Sequence, residues 1–240
     1  MAVISRIELV PAYLLHQRPY RESSALLEMF TESHGRVGLV ARGVRSPKSR
    51  RRGELQPFRS LCLSWNARGE LGTLTAVEAD GPLHSFKSTV LYSAFYLNEL
   101  LLRLLARHDP HPGLYMAYQT SLQNFACGVE VAPVLRLFEK RLLQEIGYGL
   151  LLDYETETGE PVQPELYYDY LLESGPVITG GKSAQGFVFK GSSLLALSQE
   201  RMTTAEVLRD AKRLTRAALN IYLGNKPLKS RELFRSVKKN

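Results

Sequence analysis

The chain has 240 residues, is 44% hydrophobic and carries a formal net charge of +7. That composition excludes a disordered or fibrous protein and suits one large core or two smaller ones. The longest apolar stretch, Leu97 to Leu105, is interrupted by Asn98, Glu99 and Arg103, well short of the roughly 18 apolar residues a membrane span needs. The charge is segregated: residues 1–60 are net +6 and residues 201–240 net +8, around a middle of net −7. Such segregation attracts a polyanion better than even spreading does, and nucleic acid is the commonest large one. A solvated surface with a basic tail is the alternative. Met1 to Arg6 has no signal-peptide pattern, and Cys62 and Cys127 give no disulfide framework, so the expected location is the cytoplasm.

The first eighty residues predict five short strands, at Val10–Leu15, Ala25–Phe30, Val37–Ala41, Leu61–Trp65 and Leu71–Val77, separated by turn formers. With a hairpin turn at Glu32 to Gly35 and no room for crossover helices, they suit a small closed barrel, the OB-fold foremost. Between the third and fourth strands, Arg42 to Gly53 holds six cations in twelve residues (Arg42, Arg45, Lys48, Arg50, Arg51, Arg52) and no acid. Gly and Ser predict a flexible loop there, and phosphates are its natural ligand, bound with strong salt dependence and little sequence preference. Arg18, Arg21 and Arg36 on neighbouring turns extend this surface. Tyr13, Tyr20, Phe30, Phe58 and Trp65 are available to stack on bases, at roughly 1–3 kcal/mol each. Phe30, Phe58 and Trp65 read rather as barrel core, and Tyr20 as the exposed one.

From about Pro82 the apolar period becomes helical. Helices are expected at Ser88–Arg107, Leu114–Phe125, from Pro133 as first helical residue through Ile146, at Leu194–Leu197 and at Thr204–Tyr222. Residues 153–190 read as a loop or small hairpin subregion. The expected division is a barrel domain at 1–80 and a helical-bundle domain at 81–240, an α+β protein. In the last helix Arg209, Lys212, Arg213 and Arg216 recur at helical spacing as one cationic stripe opposite an apolar face; it is a second phosphate-binding candidate or a solvated face.

Several ordered segments carry a family resemblance. They are Arg18-Pro19-Tyr20-Arg21-Glu22-Ser23-Ser24, Gly35-Arg36 leading to Ala41-Arg42-Gly43-Val44-Arg45, Gln56-Pro57-Phe58, the helix Leu91 to Leu101, the run Leu135 to Gly149, and Gly224 to Phe234. Together they resemble the RecO family of bacterial recombination mediators, over nearly the whole chain. The resemblance implies an N-terminal OB-fold and a C-terminal helical domain in a DNA repair protein of the RecF pathway, nucleoid-associated in the cytoplasm. It further implies binding of single- and double-stranded DNA, annealing of complementary strands, engagement of the C-terminal tail of the single-stranded DNA-binding protein SSB, and loading of RecA together with RecR. No covalent chemistry is implied. Arg136 matches a family arginine associated with the SSB-tail pocket; an ordinary surface arginine is its other reading.

One departure concerns metal. Some members hold zinc in a four-cysteine site after the position matching Gly147-Tyr148-Gly149, whereas Asp153 to Phe189 contains no cysteine here, so no zinc or other cofactor is expected. The His108-Asp-Pro-His111 stretch reads as exposed loop. Asp153, Glu155, Glu157, Glu160 and Glu165 form an acidic patch that reads as solvated rather than as a magnesium site for a nuclease. Gly180-Gly181-Lys182-Ser183 lacks the upstream glycine of a phosphate loop and reads as a hairpin turn. No enzyme is expected. The competing class is a protein-interaction adaptor whose basic ends meet an acidic protein partner.

Overall fold

Period-two alternation places Val10, Ala12 and Leu14 on one face of β1 (Ser5–Tyr20), Ala25, Leu27 and Met29 on one face of β2 (Ser24–Thr31), and Val37, Leu39 and Ala41 on one face of β3 (Gly35–Ala41). These side chains meet Leu61, Leu63 and Trp65 of β4 (Leu61–Ala67) and Leu74 and Val77 of β5 (Leu71–Ala79) in one buried core. A computed structural model describes residues 5–67, 69–180 and 187–232. The expected turn at Gly181-Lys182-Ser183 and the terminal Leu233-Phe234 lie outside them. The five strands close a barrel in the order β1-β2-β3-β5-β4, antiparallel throughout except for the β3–β5 seam, which is parallel. That is the OB-type arrangement expected. The seam is close: a Cβ on Gly38 would come within 2.8 Å of the Leu71 side chain, and one on Gly72 within 2.8 Å of Leu39 and Trp65.

The cation-rich connection is not the flexible loop its Gly and Ser suggest. Successive turns are closed by Ser46 N to Gly43 O, Ser49 N to Ser46 O and Gly53 N to Arg50 O, and they lead into a single helical turn, α1 (Arg51–Glu54). Val44 and Leu55, at either end, are buried in the barrel core. Two apolar anchors thus fix the backbone and leave the polar residues between them outside.

The opposite faces of β1 and β2 are covered by helices. Tyr13 and Phe30 pack on Tyr115 and Tyr118 of α3 (Pro112–Ala126), and Phe58 packs on Phe86 and on Phe95 of α2 (Ser88–Leu104). Phe30 and Phe58 are therefore buried, as expected, but between barrel and helix rather than inside the barrel, where Trp65 lies. The docking is also polar. Leu14 pairs with Met29 and His16 with Glu28, so Leu15, with its carbonyl, is the extra residue of a bulge. Asn98 Nδ2 donates to that carbonyl at 3.1 Å, and the Tyr118 hydroxyl donates to Asn98 Oδ1 at 2.6 Å. Burial keeps the Tyr118 phenol well above its ordinary pKa and so a permanent donor.

The described residues up to Gly128, with those from Pro227 on, form one compact unit, and Val129–Lys226 form another. The helical region is accordingly not one bundle: α2 and α3 belong with the barrel, because they bury its outer face. The C-terminal segment returns to the same unit. Leu228 is buried, the Glu99 carboxylate accepts from the backbone N–H groups of Lys229 and Ser230 and from the Ser230 hydroxyl, and the Arg231 guanidinium lies 6.0 Å from the Tyr96 ring centre.

In the second unit α4 (Val131–Glu145), α5 (Gly191–Ser198) and α6 (Ala205–Leu223) pack with an antiparallel sheet of order β7-β6-β8, formed by β6 (Tyr167–Leu171), β7 (Gly175–Thr179) and β8 (Val188–Lys190). The expected hairpin is β6–β7. Pro133 is the third residue of α4, not the first; a first-turn N–H has no intrahelical acceptor, so proline fits there equally. Thr204 caps α6, its hydroxyl accepting from Val207 N at 3.2 Å.

Asn98→Ala removes the buried hydrogen bonds that Asn98 makes with the Leu15 carbonyl and the Tyr118 hydroxyl. We expect a loss of roughly 1–3 kcal/mol in unfolding free energy from the stranded Leu15 carbonyl, read as a lower urea midpoint.

Candidate nucleic-acid interface

The β1–β2 turn and the cationic connection are joined by backbone and side chain. Arg45 N donates to Ser23 O at 2.8 Å, and the Arg45 guanidinium donates to the carbonyls of Arg21 and Glu22 at 3.2 and 3.3 Å. Arg21, with φ of 52°, turns the chain, and its guanidinium lies 5.2 Å from the centre of the half-buried Tyr20 ring. Tyr20 is thus less exposed than expected, its ring partly covered by its neighbour. Arg18, Arg21, Arg42, Arg45, Lys48, Arg50 and Arg52 are all exposed, and none forms an ion pair among the described residues. No carboxylate among the described residues pairs with them, and the junction becomes a positive surface.

At this junction a groove of about 520 Å³ opens. Arg18, Arg45 and Arg52 line it together with Gln17 and Gln56, and the apolar residues of its lining are Pro19, Ala25 and Val44. Gln56 Nε2 donates to Arg52 O at 3.1 Å, which leaves Oε1 as its open acceptor. The two glutamines were not singled out as site residues by charge reasoning. Their signal is only positional: Gln17 adjoins Arg18, and Gln56 opens the Gln-Pro-Phe segment.

Two predicted members of this surface are placed differently. Arg36 is half-buried and paired with Glu28 at 3.5 Å, a carboxylate it shares with Arg107. Burial pulls the Arg36 guanidinium below its ordinary pKa, opposed by Glu28. Arg51 is also half-buried, and its guanidinium donates to Thr75 O on β5 at 2.6 Å. Both cations hold the barrel and are not open to a phosphate.

In the second unit Arg209, Lys212 and Arg216 are exposed along α6 as the stripe predicts. Arg213 is engaged: it donates to Val188 O at 3.4 Å, lies 3.6 Å from Asp210, and its guanidinium sits 4.7 Å from the Phe189 ring centre and 5.5 Å from that of Phe187. It fastens α6 to β8. Arg136 is no ordinary surface arginine, with only 7% of its surface exposed. Its guanidinium meets Glu139 at 2.8 Å and donates to the Thr215 hydroxyl at 3.3 Å, while that hydroxyl donates to the other Glu139 oxygen. The triad ties α4 to α6.

The acidic stretch is built for itself. The Glu155 carboxylate is buried and accepts from the Thr158 N–H and hydroxyl, and these bonds lower its pKa. Among the described residues no group of three His, Cys, Asp or Glu side chains is placed to hold a metal ion, and no helix is long and apolar enough to cross a membrane. His108 is exposed as expected, but His111 is largely covered and lies 3.4 Å from Asp109.

Removing one partner of a buried, hydrogen-bonded ion pair strands the other charge. Glu139→Ala should cost about 3–5 kcal/mol, seen as a large fall in melting temperature, while Arg209→Ala on the exposed stripe should leave the melting temperature nearly unchanged.

Sequence comparison gives this geometry its context. The N-terminal model of recombination protein O matches residues 6–82, and the C-terminal model of the same family matches residues 87–232. Proteins called DNA repair protein RecO are similar over almost their whole length: 47% identical in Nitrosococcus oceani, covering 98% of this chain and 95% of the relative. In Methylococcus capsulatus the identity is 46%, with 97% and 95% covered, and in Coxiella burnetii 44%, with 95% and 98% covered. An OB-type barrel with an exposed cationic junction, followed by a helical region and matched along nearly every residue, belongs to the RecO family of DNA repair and recombination proteins.

Proposed function

We propose that this chain is a recombination mediator that binds single- and double-stranded DNA and anneals complementary strands without covalent chemistry. The observation that carries this reading is the junction of the β1–β2 turn with the cationic connection, where seven exposed cations stand without ion-pair partners among the described residues. Each cation that meets a phosphate releases counterions, so binding is strong at low salt, falls steeply with salt and ignores sequence. Two strands held on cationic surfaces have their mutual repulsion screened. Base pairing then supplies both the driving force and the specificity. Arg209, Lys212 and Arg216 on α6 are proposed as a second phosphate-binding group, with Arg213 supporting the helix beneath them.

The remaining partners follow from the family. The tail of SSB, acidic and apolar, is proposed to dock on the helical region, and RecR to act with this chain in loading RecA. Arg136, committed to Glu139 and Thr215, enters that proposal as the residue that holds α4 and α6 in place for the tail. Its test is a tail-peptide titration of a variant that melts like the wild type. Equal affinity in a folded Arg136→Lys protein removes Arg136 from the tail site.

The decisive experiment measures single-stranded DNA binding by fluorescence anisotropy over a salt series, then strand annealing with and without SSB. Changing Arg18, Arg50 and Arg52 together to Glu should leave the fold intact and lower the log–log salt slope by about 2, at roughly 0.7 per lost phosphate contact, with annealing reduced in parallel. Salt-indifferent binding and no annealing by the wild type would turn the reading toward an adaptor for an acidic protein partner.

A further inference from the structure

We propose that the groove between the β1–β2 turn and α1 seats one unstacked nucleotide of a bound single strand, the base within it and the flanking phosphates on its arginines. The inference rests on the reading of this barrel surface as the single-strand site and adds a base contact to it. Size is the first argument. Pockets for small ligands run from about 300 to 1,000 Å³, and this one, at about 520 Å³, is far larger than a phosphate requires and suits one nucleotide.

Chemistry is the second argument. A seat for phosphate alone needs cations, but this groove also offers the exposed ring of Pro19, over a floor that reaches Ala25 and Val44, and two glutamines. Gln56, with Nε2 committed to Arg52 O, presents Oε1 as an acceptor, and every base carries at least one N–H donor on its edge. Gln17 has both a donor and an acceptor and can turn either outward. The pair therefore accepts any base, which agrees with a binder blind to sequence. The third argument is organisation. Arg45 is fixed by the Arg21 and Glu22 carbonyls, whereas Arg18 and Arg52 make no ion pair among the described residues. The groove thus combines one held guanidinium with two open ones and two glutamines.

The test compares the full chain's affinity for an oligothymidylate of about ten nucleotides with that for an abasic backbone of the same length and phosphate count, a span within the site sizes of such barrels. The wild type should prefer the thymidylate roughly tenfold, the discrimination of one hydrogen-bonded base contact. The double variant Gln17→Ala with Gln56→Ala, the first exposed and the second half-buried, should lose most of that preference and keep its affinity for the abasic backbone. A wild type that binds both oligomers equally overturns the nucleotide seat while the cationic surface stands, as does a double variant with the full preference. Failure of the wild type to bind either oligomer overturns the single-strand reading itself, and the seat with it.

Discussion

Closing the barrel through a parallel β3–β5 seam is the constraint from which the rest of the first unit follows. The seam pairs Gly38, Leu39 and Val40 with Leu71, Gly72 and Thr73, and glycine on both sides lets Leu71, Leu39 and Trp65 occupy the space that a Cβ would take. Parallel neighbours cannot be joined by a tight hairpin. Between β3 and β5 the chain must make the long connection from Arg42 to Ser60 and then add β4. That connection is obliged to sink Val44 and Leu55 into the core, because a segment without apolar anchors would leave the barrel open. None of the ten residues between the anchors is buried, and five of them are cationic, of which only Arg51 turns back to the barrel. The positive surface is a consequence of how the barrel is closed.

Burial and hydrogen bonding separate open cations from structural ones. An arginine near an unpaired carbonyl or a half-buried carboxylate is consumed by it, since leaving such groups unsatisfied in a dry setting is costly. Arg51 and Arg52 are neighbours with opposite fates: the first bonds to the Thr75 carbonyl, the second faces the groove. The same divergence recurs on α6, where Lys212 is open and its neighbour Arg213 stacks on Phe189, and counting charges does not reveal it. What decides is the long-range partner, and the partners lie 24 or 25 residues away in sequence.

The elements were legible because their signals are local. Strand alternation, the Glu32–Gly35 turn and the helical period after Pro82 each depend on a few adjacent residues, and those elements appear where they are expected, whereas α1 and the third strand β8 do not follow from such signals. The strands run longer than the apolar runs suggest, since paired backbone extends past them, as in β1 from Ser5 to Tyr20. The division into units was not legible. It depends on which face of the barrel needs a cover, and Tyr13 and Phe30 show that need only once their strands are paired. The candidate site was half legible: Arg18, Arg45 and Arg52 stand out as charge, but Gln17 and Gln56 matter only because the fold brings them to the same groove. Arg136 is the reverse case, conspicuous by resemblance and placed by the fold in a buried triad.

The proposed chemistry makes opposite demands on one surface. Annealing requires that base edges stay available for a second strand, so a protein that gripped many bases would hold its strand and block pairing. A grip on phosphates avoids this, but phosphates alone do not distinguish a flexible single strand from a duplex. A groove with room for one nucleotide reconciles the two requirements. It withdraws a single base from pairing, which a duplex yields only by unpairing, while the exposed cations around it carry the affinity. Because those cations are spread over a turn and a connection fixed by Arg45 and the two apolar anchors, the proposed grip needs little ordering on binding.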